Sequence, residues 1–211
     1  MNRQHLTSYF FISVSFLFAI TGHAQDGTEQ LDLYLKDIDT YSAAFEQNLI
    51  NDNDELVENS YGVFYLRRPG MFHWAYVDPY SQMLISDGQS LWIYEEDLEQ
   101  VIIQDIGDSL GRSPAAILGG NVEINEFYLV IDRGISEEHH WLEMTPRDVK
   151  SQYNSIMLGF KKGQLSKMLL FDNLGQKNMI DFLDIKLNKT LNLELFSFNP
   201  PAETDIIDNR P

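Results

Sequence analysis

The sequence predicts a mainly β chain in which one long antiparallel sheet curls into a barrel or sandwich and a few amphipathic helices close its open side. Three observations carry that expectation. A helical apolar period near the start gives way to a period of two, short apolar segments then follow one another closely, and turn-forming residues stand between them.

At the start, residues 1–24 place Arg3 before an apolar run over 9–20 and then the small residues Gly22 and Ala24 around His23. That order is the pattern of a signal peptide cut after Ala24. The run is too short to span a bilayer comfortably, and Ser13 and Ser15 interrupt it. Residues 25–211, about 187 in number, are then expected to form a single domain, because no linker, repeat or low-complexity stretch divides them.

Over 28–41, Leu31, Leu35 and Ile38 recur at helical spacing with Tyr34 beside them, which predicts an amphipathic helix with acids in its first turn. Beyond it Tyr41, Ala43, Phe45 and Gln47 alternate with Ser42, Ala44 and Glu46, and the alternation returns over 61–67. Phe72, Trp74 and Tyr76 fall on one face of a short strand. Asp87-Gly88, between apolar runs over 83–85 and 91–94, is a hairpin signal. Further strands are expected over 101–106, 127–131, 141–144, 155–160, 165–171, 178–185 and 193–198. One short helix interrupts them: Ser113 is a good cap, Pro114 suits the first helical position, 115–118 continue it and Gly119-Gly120 stops it. Helices over an open curled sheet form a lid above a concave apolar face.

Composition narrows the function. The net charge of −17 disfavours nucleic acid, which needs clustered cations, and an acidic body is repelled by anionic membrane surfaces. With no Cys, the chain has neither disulfides nor a lipid-acceptor thiol. A search for catalysis returns little. His139 and His140 stand beside Glu137 and Glu138, but neighbours on a strand point to opposite faces and cannot share a metal. Ser113 lacks a base or a nucleophile elbow, and capping explains it. No cofactor or metal is called for, and no enzyme is expected. What stands out is aromatic and aliphatic surface: thirteen Phe, ten Tyr and three Trp.

Specific words then point to a family. The run Leu66-Arg67-Arg68-Pro69-Gly70-Met71-Phe72-His73-Trp74 precedes Asp78-Pro79, Gln82, Ser86-Asp87-Gly88, Leu91-Trp92, Tyr94 and Leu98-Glu99-Gln100. Ser113-Pro114-Ala115 with Leu118, Trp141-Leu142-Glu143 before Thr145-Pro146, Asp172 before Leu174-Gly175-Gln176, and Phe196-Ser197-Phe198-Asn199-Pro200-Pro201 before Asp208 continue in order. Together these resemble the outer-membrane lipoprotein carrier family, LolA, over nearly the whole of 25–211. The resemblance implies an incomplete, unclosed antiparallel β-barrel covered by a lid of short helices, with a hydrophobic cavity between them. It implies a periplasmic chaperone that takes triacylated lipoproteins from an inner-membrane ATP-driven release complex to an outer-membrane receptor. It also implies that Arg68 bonds lid carbonyls in the empty, closed state. A guanidinium suits a latch, since it offers several donors in a fixed fork and stays charged.

On that reading Leu35 and Ile38 of the first helix, Phe72, Trp74 and Leu84 of the sheet, and Ile117 and Leu118 of the lid helix line the acyl cavity. A monomer is expected, because each half-barrel must present its mouth to a partner. The alternative is a periplasmic lipid- or lipopeptide-sensing module of the same fold, and a lipid hydrolase would need a nucleophile and base converging on the cavity.

Overall fold

A computed structural model describes residues 27–106, 118–119 and 124–210. The signal segment, Ser113, Pro114 and Ile117 lie outside the described residues. The chain enters through α1 (Gly27–Leu35) and passes into β1 (Thr40–Ile50), β2 (Leu56–Arg67), β3 (Met71–Asp78), β4 (Gln82–Asp87), β5 (Ser90–Glu95) and β6 (Gln100–Asp105). A short α2 (Ile124–Phe127) leads into β7 (Tyr128–Ser136), β8 (His139–Pro146), β9 (Tyr153–Lys161), β10 (Gln164–Asp172) and β11 (Lys177–Leu187); β12 (Asp205–Asp208) follows later.

The twelve strands of the described residues share one sheet, in the order β12-β6-β5-β4-β3-β2-β1-β11-β10-β9-β8-β7. β1 sits mid-sheet, and two meanders run outward from it, one through β2 to β6 and the other through β11 to β7. Among the described residues every pairing is antiparallel except β12 on β6. The outermost strands do not pair with each other, so the barrel stays open.

The sheet is curved. Laid flat at ~4.8 Å per strand, β7 and β5 would stand about 43 Å apart. Instead Val130 of β7, Met144 of β8, Phe64 of β2 and Leu91 of β5 join one buried cluster with Leu31 and Leu35 of α1. Strict alternation creates this inner face. On β2 to β5 the row Phe64, Trp74, Leu84 and Ile93 lies in register across four strands. The residues between face outward, where Tyr94, Val101 and Ile103 form a second cluster with Met83, Trp92 and Phe198.

Glycine is required at two points. Opposite Phe45, a Cβ on Gly62 would stand 2.1 Å from the Ala75 carbonyl oxygen and 2.4 Å from Phe45 Cζ, so only a bare Cα lets that ring cross the sheet. Gly88 has φ +94° in the Asp87-Gly88 hairpin. There Asp87 Oδ1 accepts from the Gln89 and Ser90 amides, both at 2.8 Å, which fixes the turn.

Three elements differ from the sequence expectation. Helix α1 stops at Leu35 rather than near Tyr41, because Asn188 at the end of β11 ties down the exit. Its Oδ1 accepts from the Asp39 amide at 2.9 Å and its Nδ2 donates to the Asp37 carbonyl at 2.8 Å. Residues 193–198 are not a strand: Leu193–Phe196 form a 3-10 turn, with Asn192 Oδ1 accepting from the Glu194 amide. The alternating aromatics there serve separate contacts, since Phe196 is buried and Phe198 lies 5.1 Å from the Tyr94 ring. Finally, β12 pairs parallel to β6 although its residues remain exposed.

Candidate functional site

The inner face assembles most of the residues singled out from sequence. Leu35, Ile38, Phe72, Trp74 and Leu118 are buried members of one cluster, and Leu84 packs against it half-buried. Their sources are far apart in the chain. Alternation turns Phe72 and Trp74 of β3 inward, helical spacing turns Leu35 inward, and Leu118 descends onto the cluster from the segment that follows β6.

Aromatic rings pave the floor. Trp74 lies 4.8 Å from Phe45, 4.9 Å from Phe64 and 6.0 Å from Phe182, while Tyr41 stands 5.7 Å from Phe64 and 5.8 Å from Phe182. Phe45, Phe64 and Phe182 were not among the residues read from sequence as lining the site. They fall in segments expected to be strands, but local spacing gives no sign that β11 curls against β3. Tyr41 donates its hydroxyl to the Leu165 carbonyl at 2.8 Å, and burial pushes its pKa well up.

Arg68, just after β2, reaches two backbone carbonyls above the cluster. Its Nη1 donates to the Leu35 carbonyl at 3.1 Å and its Nη2 to the Leu118 carbonyl at 3.0 Å. One guanidinium thereby joins the end of α1 to the segment over the cluster. The backbone reinforces the clasp, for the Gly70 amide donates to the Gly119 carbonyl at 3.0 Å and the Arg68 amide to the Asp39 carbonyl at 2.9 Å. The Leu35 carbonyl belongs to the C-terminal end of α1, where unmet acceptors gather, so a cation is well placed there. Burial lowers the Arg68 pKa, and Asp32 and Asp39 act against that fall. Arg67 lines a polar pocket together with Arg68, Asp39, Asn188 and Lys189.

Beneath the clasp, Leu35, Ile38, Tyr41, Phe64, Leu118 and Leu165 enclose a cavity of about 10 Å³. That is room for about one water at most, so the space bounded by these side chains is filled rather than open. A larger pocket of about 500 Å³ opens at the other end of the inner face, lined by Gln47, Ser60, Tyr76, Tyr80, Gln82 and Leu98. Tyr76 links the two regions. Its ring packs on the aromatic cluster, its hydroxyl donates to Gln47 Oε1 at 3.0 Å, and burial pushes its pKa up to about 12.

The other candidates stay apart. His139 sits with Nδ1 2.8 Å from the Glu137 carbonyl, whereas His140 Nε2 meets Asp132 Oδ1 at 2.7 Å. Among the described residues no three His, Cys, Asp or Glu side chains gather as a metal site, and no helix is long and apolar enough to cross a membrane.

A half-open barrel with a continuous apolar inner face, capped by a segment that an arginine clasps, defines a binding protein for apolar ligands. The family model described as outer membrane lipoprotein carrier protein LolA matches residues 36–199, and the chain belongs to that family. It is 35% identical over 192 residues to the outer-membrane lipoprotein carrier protein of Nitrosospira multiformis, covering 90% of this chain and 92% of the relative. It is 36% identical over 169 residues to that of Nitrosomonas europaea, covering 80% and 82%. Among solved structures, an uncharacterized conserved protein from Thermus thermophilus superposes with a TM-score of 0.58 at 12% identity, covering 88% of this chain and all of that one. A LolA superfamily protein from Nitrosomonas europaea gives 0.51 at 15% identity, covering 83% and 97%. These two likenesses concern the fold.

Proposed function

We propose that this chain is a periplasmic chaperone that shelters the acyl chains of triacylated lipoproteins against its inner face and passes them to the outer membrane. The observation that carries the reading is the Arg68 clasp over a wholly apolar interior, in a member of the lipoprotein carrier family. Each buried methylene is worth about 0.8 kcal/mol, so a chain of roughly fifteen methylenes needs about 12 kcal/mol of replacement burial to leave a bilayer. Only an extended apolar surface offers that much.

Release is the second requirement, and the filled interior serves it. Cargo must displace Leu118 and its neighbours, so their return competes with cargo and keeps binding reversible. Arg68 sets the balance, because its two bonds exist only when the lid is seated. In this scheme residues 1–24 direct export and are removed, 25–211 act as one domain and a monomer, an inner-membrane ATP-driven release complex loads the cargo, and an outer-membrane receptor accepts it. Phe72, Trp74, Leu84, Leu35, Ile38, Ile117 and Leu118 make the acyl contacts.

The test is to express the full chain, recover it from the periplasm and weigh it by native mass spectrometry, with outer-membrane lipoprotein content measured before and after depletion. Adducts with lipoprotein masses, and loss of delivery on depletion, are expected. A bare chain and unaffected delivery would overturn the reading, and bound lipid with unaffected delivery would favour a sensing module.

A further inference from the structure

A second pocket borders the Arg68 clasp and takes no part in the acyl face. It measures about 440 Å³ and lies where the start of β1, the end of β2 and the loop after β11 meet. Arg67, Arg68 and Lys189 all line it, on a chain of net charge −17 with only fifteen Lys and Arg, and the one lining carboxylate is that of Asp39. Elsewhere Arg133, Lys161, Lys167, Lys177 and Arg210 each pair with an acid. Among the described residues Arg67, Arg68 and Lys189 form no ion pair, although Asp32 and Asp39 lie near enough to favour the charge on Arg68. The Arg68 fork is itself only partly used. Its Nη1 and Nη2 each reach one carbonyl of the clasp, but its Nε is buried without a partner. Nε and Nη2 share one edge of the guanidinium, and such an edge meets an oxyanion with two parallel bonds.

We propose that this pocket binds a phosphate monoester or inorganic phosphate, and that its occupant draws Arg68 off the Leu118 carbonyl and so favours the open lid. A phosphate of this kind carries a charge of about −1.5 to −2 near pH 7 and three acceptor oxygens. That is enough to meet Arg67, Lys189 and the Nε–Nη2 edge together, where a carboxylate has only two oxygens. The acidic body repels diffuse anions, so an anion is held only where cations stand locally. A ligand shifts a lid by no more than its preference for one of the two states. Here the preference has a source, because an anion on the Nε–Nη2 edge and the Leu118 carbonyl compete for the same Nη2. The coupling rests on the reading of Arg68 as the lid latch.

The test titrates inorganic phosphate, at constant ionic strength against chloride, into protein recovered from the periplasm after expression of the full chain. Phosphate should move the amide resonances of Thr40, Arg67 and Lys189. It should also quicken hydrogen exchange at the Gly70 amide, which donates to Gly119 under the clasp, about three- to tenfold. Arg67→Gln combined with Lys189→Gln should weaken phosphate binding at least about tenfold and leave Gly70 exchange in chloride unchanged. Lys150→Gln combined with Lys162→Gln, an equal charge change at exposed positions outside the pocket, should keep wild-type binding. Flotation with phosphatidylcholine vesicles, with and without phosphatidic acid, separates the sources. Flotation that needs phosphatidic acid and is lost in the Arg67–Lys189 variant assigns the phosphate to a lipid, and binding of the soluble ion alone assigns it to free phosphate. No binding of either source, binding that survives the Arg67–Lys189 substitutions, or Gly70 exchange indifferent to the bound phosphate would overturn the inference. Arg68→Leu, measured alongside, keeps the two readings apart. Unchanged Gly70 exchange in that variant removes the latch and this inference together, whereas quickened exchange there with no phosphate effect in the wild type removes only this inference.

Discussion

Replacing Arg68 by leucine should loosen the lid without unfolding the sheet, and the structure gives the size of the effect. The guanidinium makes two bonds, at 3.1 and 3.0 Å, to the Leu35 and Leu118 carbonyls. Bonds to charged groups are worth about 1.5–3 kcal/mol each, and screening at this half-buried position reduces the pair to a combined ~2 kcal/mol. The open population should then rise about 30-fold. Leucine keeps an apolar stem beside Leu66, so packing below the lid is largely retained. Hydrogen exchange at the Gly70 amide reads the change directly, because that amide donates to Gly119 and is freed when the lid lifts. Exchange there should quicken about 30-fold while amides of the central β1–β2 pairing keep their protection. Unchanged protection at Gly70 would refute the latch, and uniform loss across the sheet would show that Arg68 supports the fold instead.

Other perturbations test neighbouring parts. Leu118→Glu puts a carboxylate where a side chain is now 2% exposed beneath the clasp; titration with a triacylated lipopeptide should show binding weakened more than about tenfold, with circular dichroism unchanged. Gly62→Ala drives a methyl into the Ala75 carbonyl and the Phe45 ring, and should cost about 2–4 kcal/mol, lowering the Tm by roughly 5–15 °C in a thermal melt. Tyr76 and Tyr128 are both pushed up to about 12 by burial, so the native state keeps protons that the unfolded chain releases near pH 10. Stability should be level up to about pH 10 and fall between about 10 and 12, followed by Tm against pH alongside phenolate absorbance. Ionisation of the Tyr76 and Tyr128 phenols themselves near pH 10 in a still-native protein, followed by their assigned ring resonances, would contradict this.

Much of the architecture was legible because it depends on periodicity. Alternation in Phe72, Trp74 and Tyr76 does place those side chains on one face, and Asp87-Gly88 does turn a hairpin. What escaped depends on long-range partners. The end of α1 is set by Asn188, about 150 positions away, and local spacing carried Ile38 into the helix when it lies just beyond. Phe196 and Phe198 imitate a strand, yet each fills a different recess around a 3-10 turn. The exposed β12 borrows its order from β6, and nothing in four residues announces that. For the site, single side chains on the inner face followed from their strands, whereas the filled space beneath Leu118 and the two carbonyls that meet at Arg68 are products of three-dimensional packing.

The central claim is that acyl chains replace side chains inside the curved sheet. Photo-crosslinking tests it most directly, with a triacylated lipopeptide bearing a diazirine near the end of one acyl chain and peptide mapping of the adducts. Adducts on Leu35, Phe72, Leu84 and Leu118 are the expected result. Adducts confined to the outward cluster around Tyr94 and Phe198, with the inner face untouched, would contradict it.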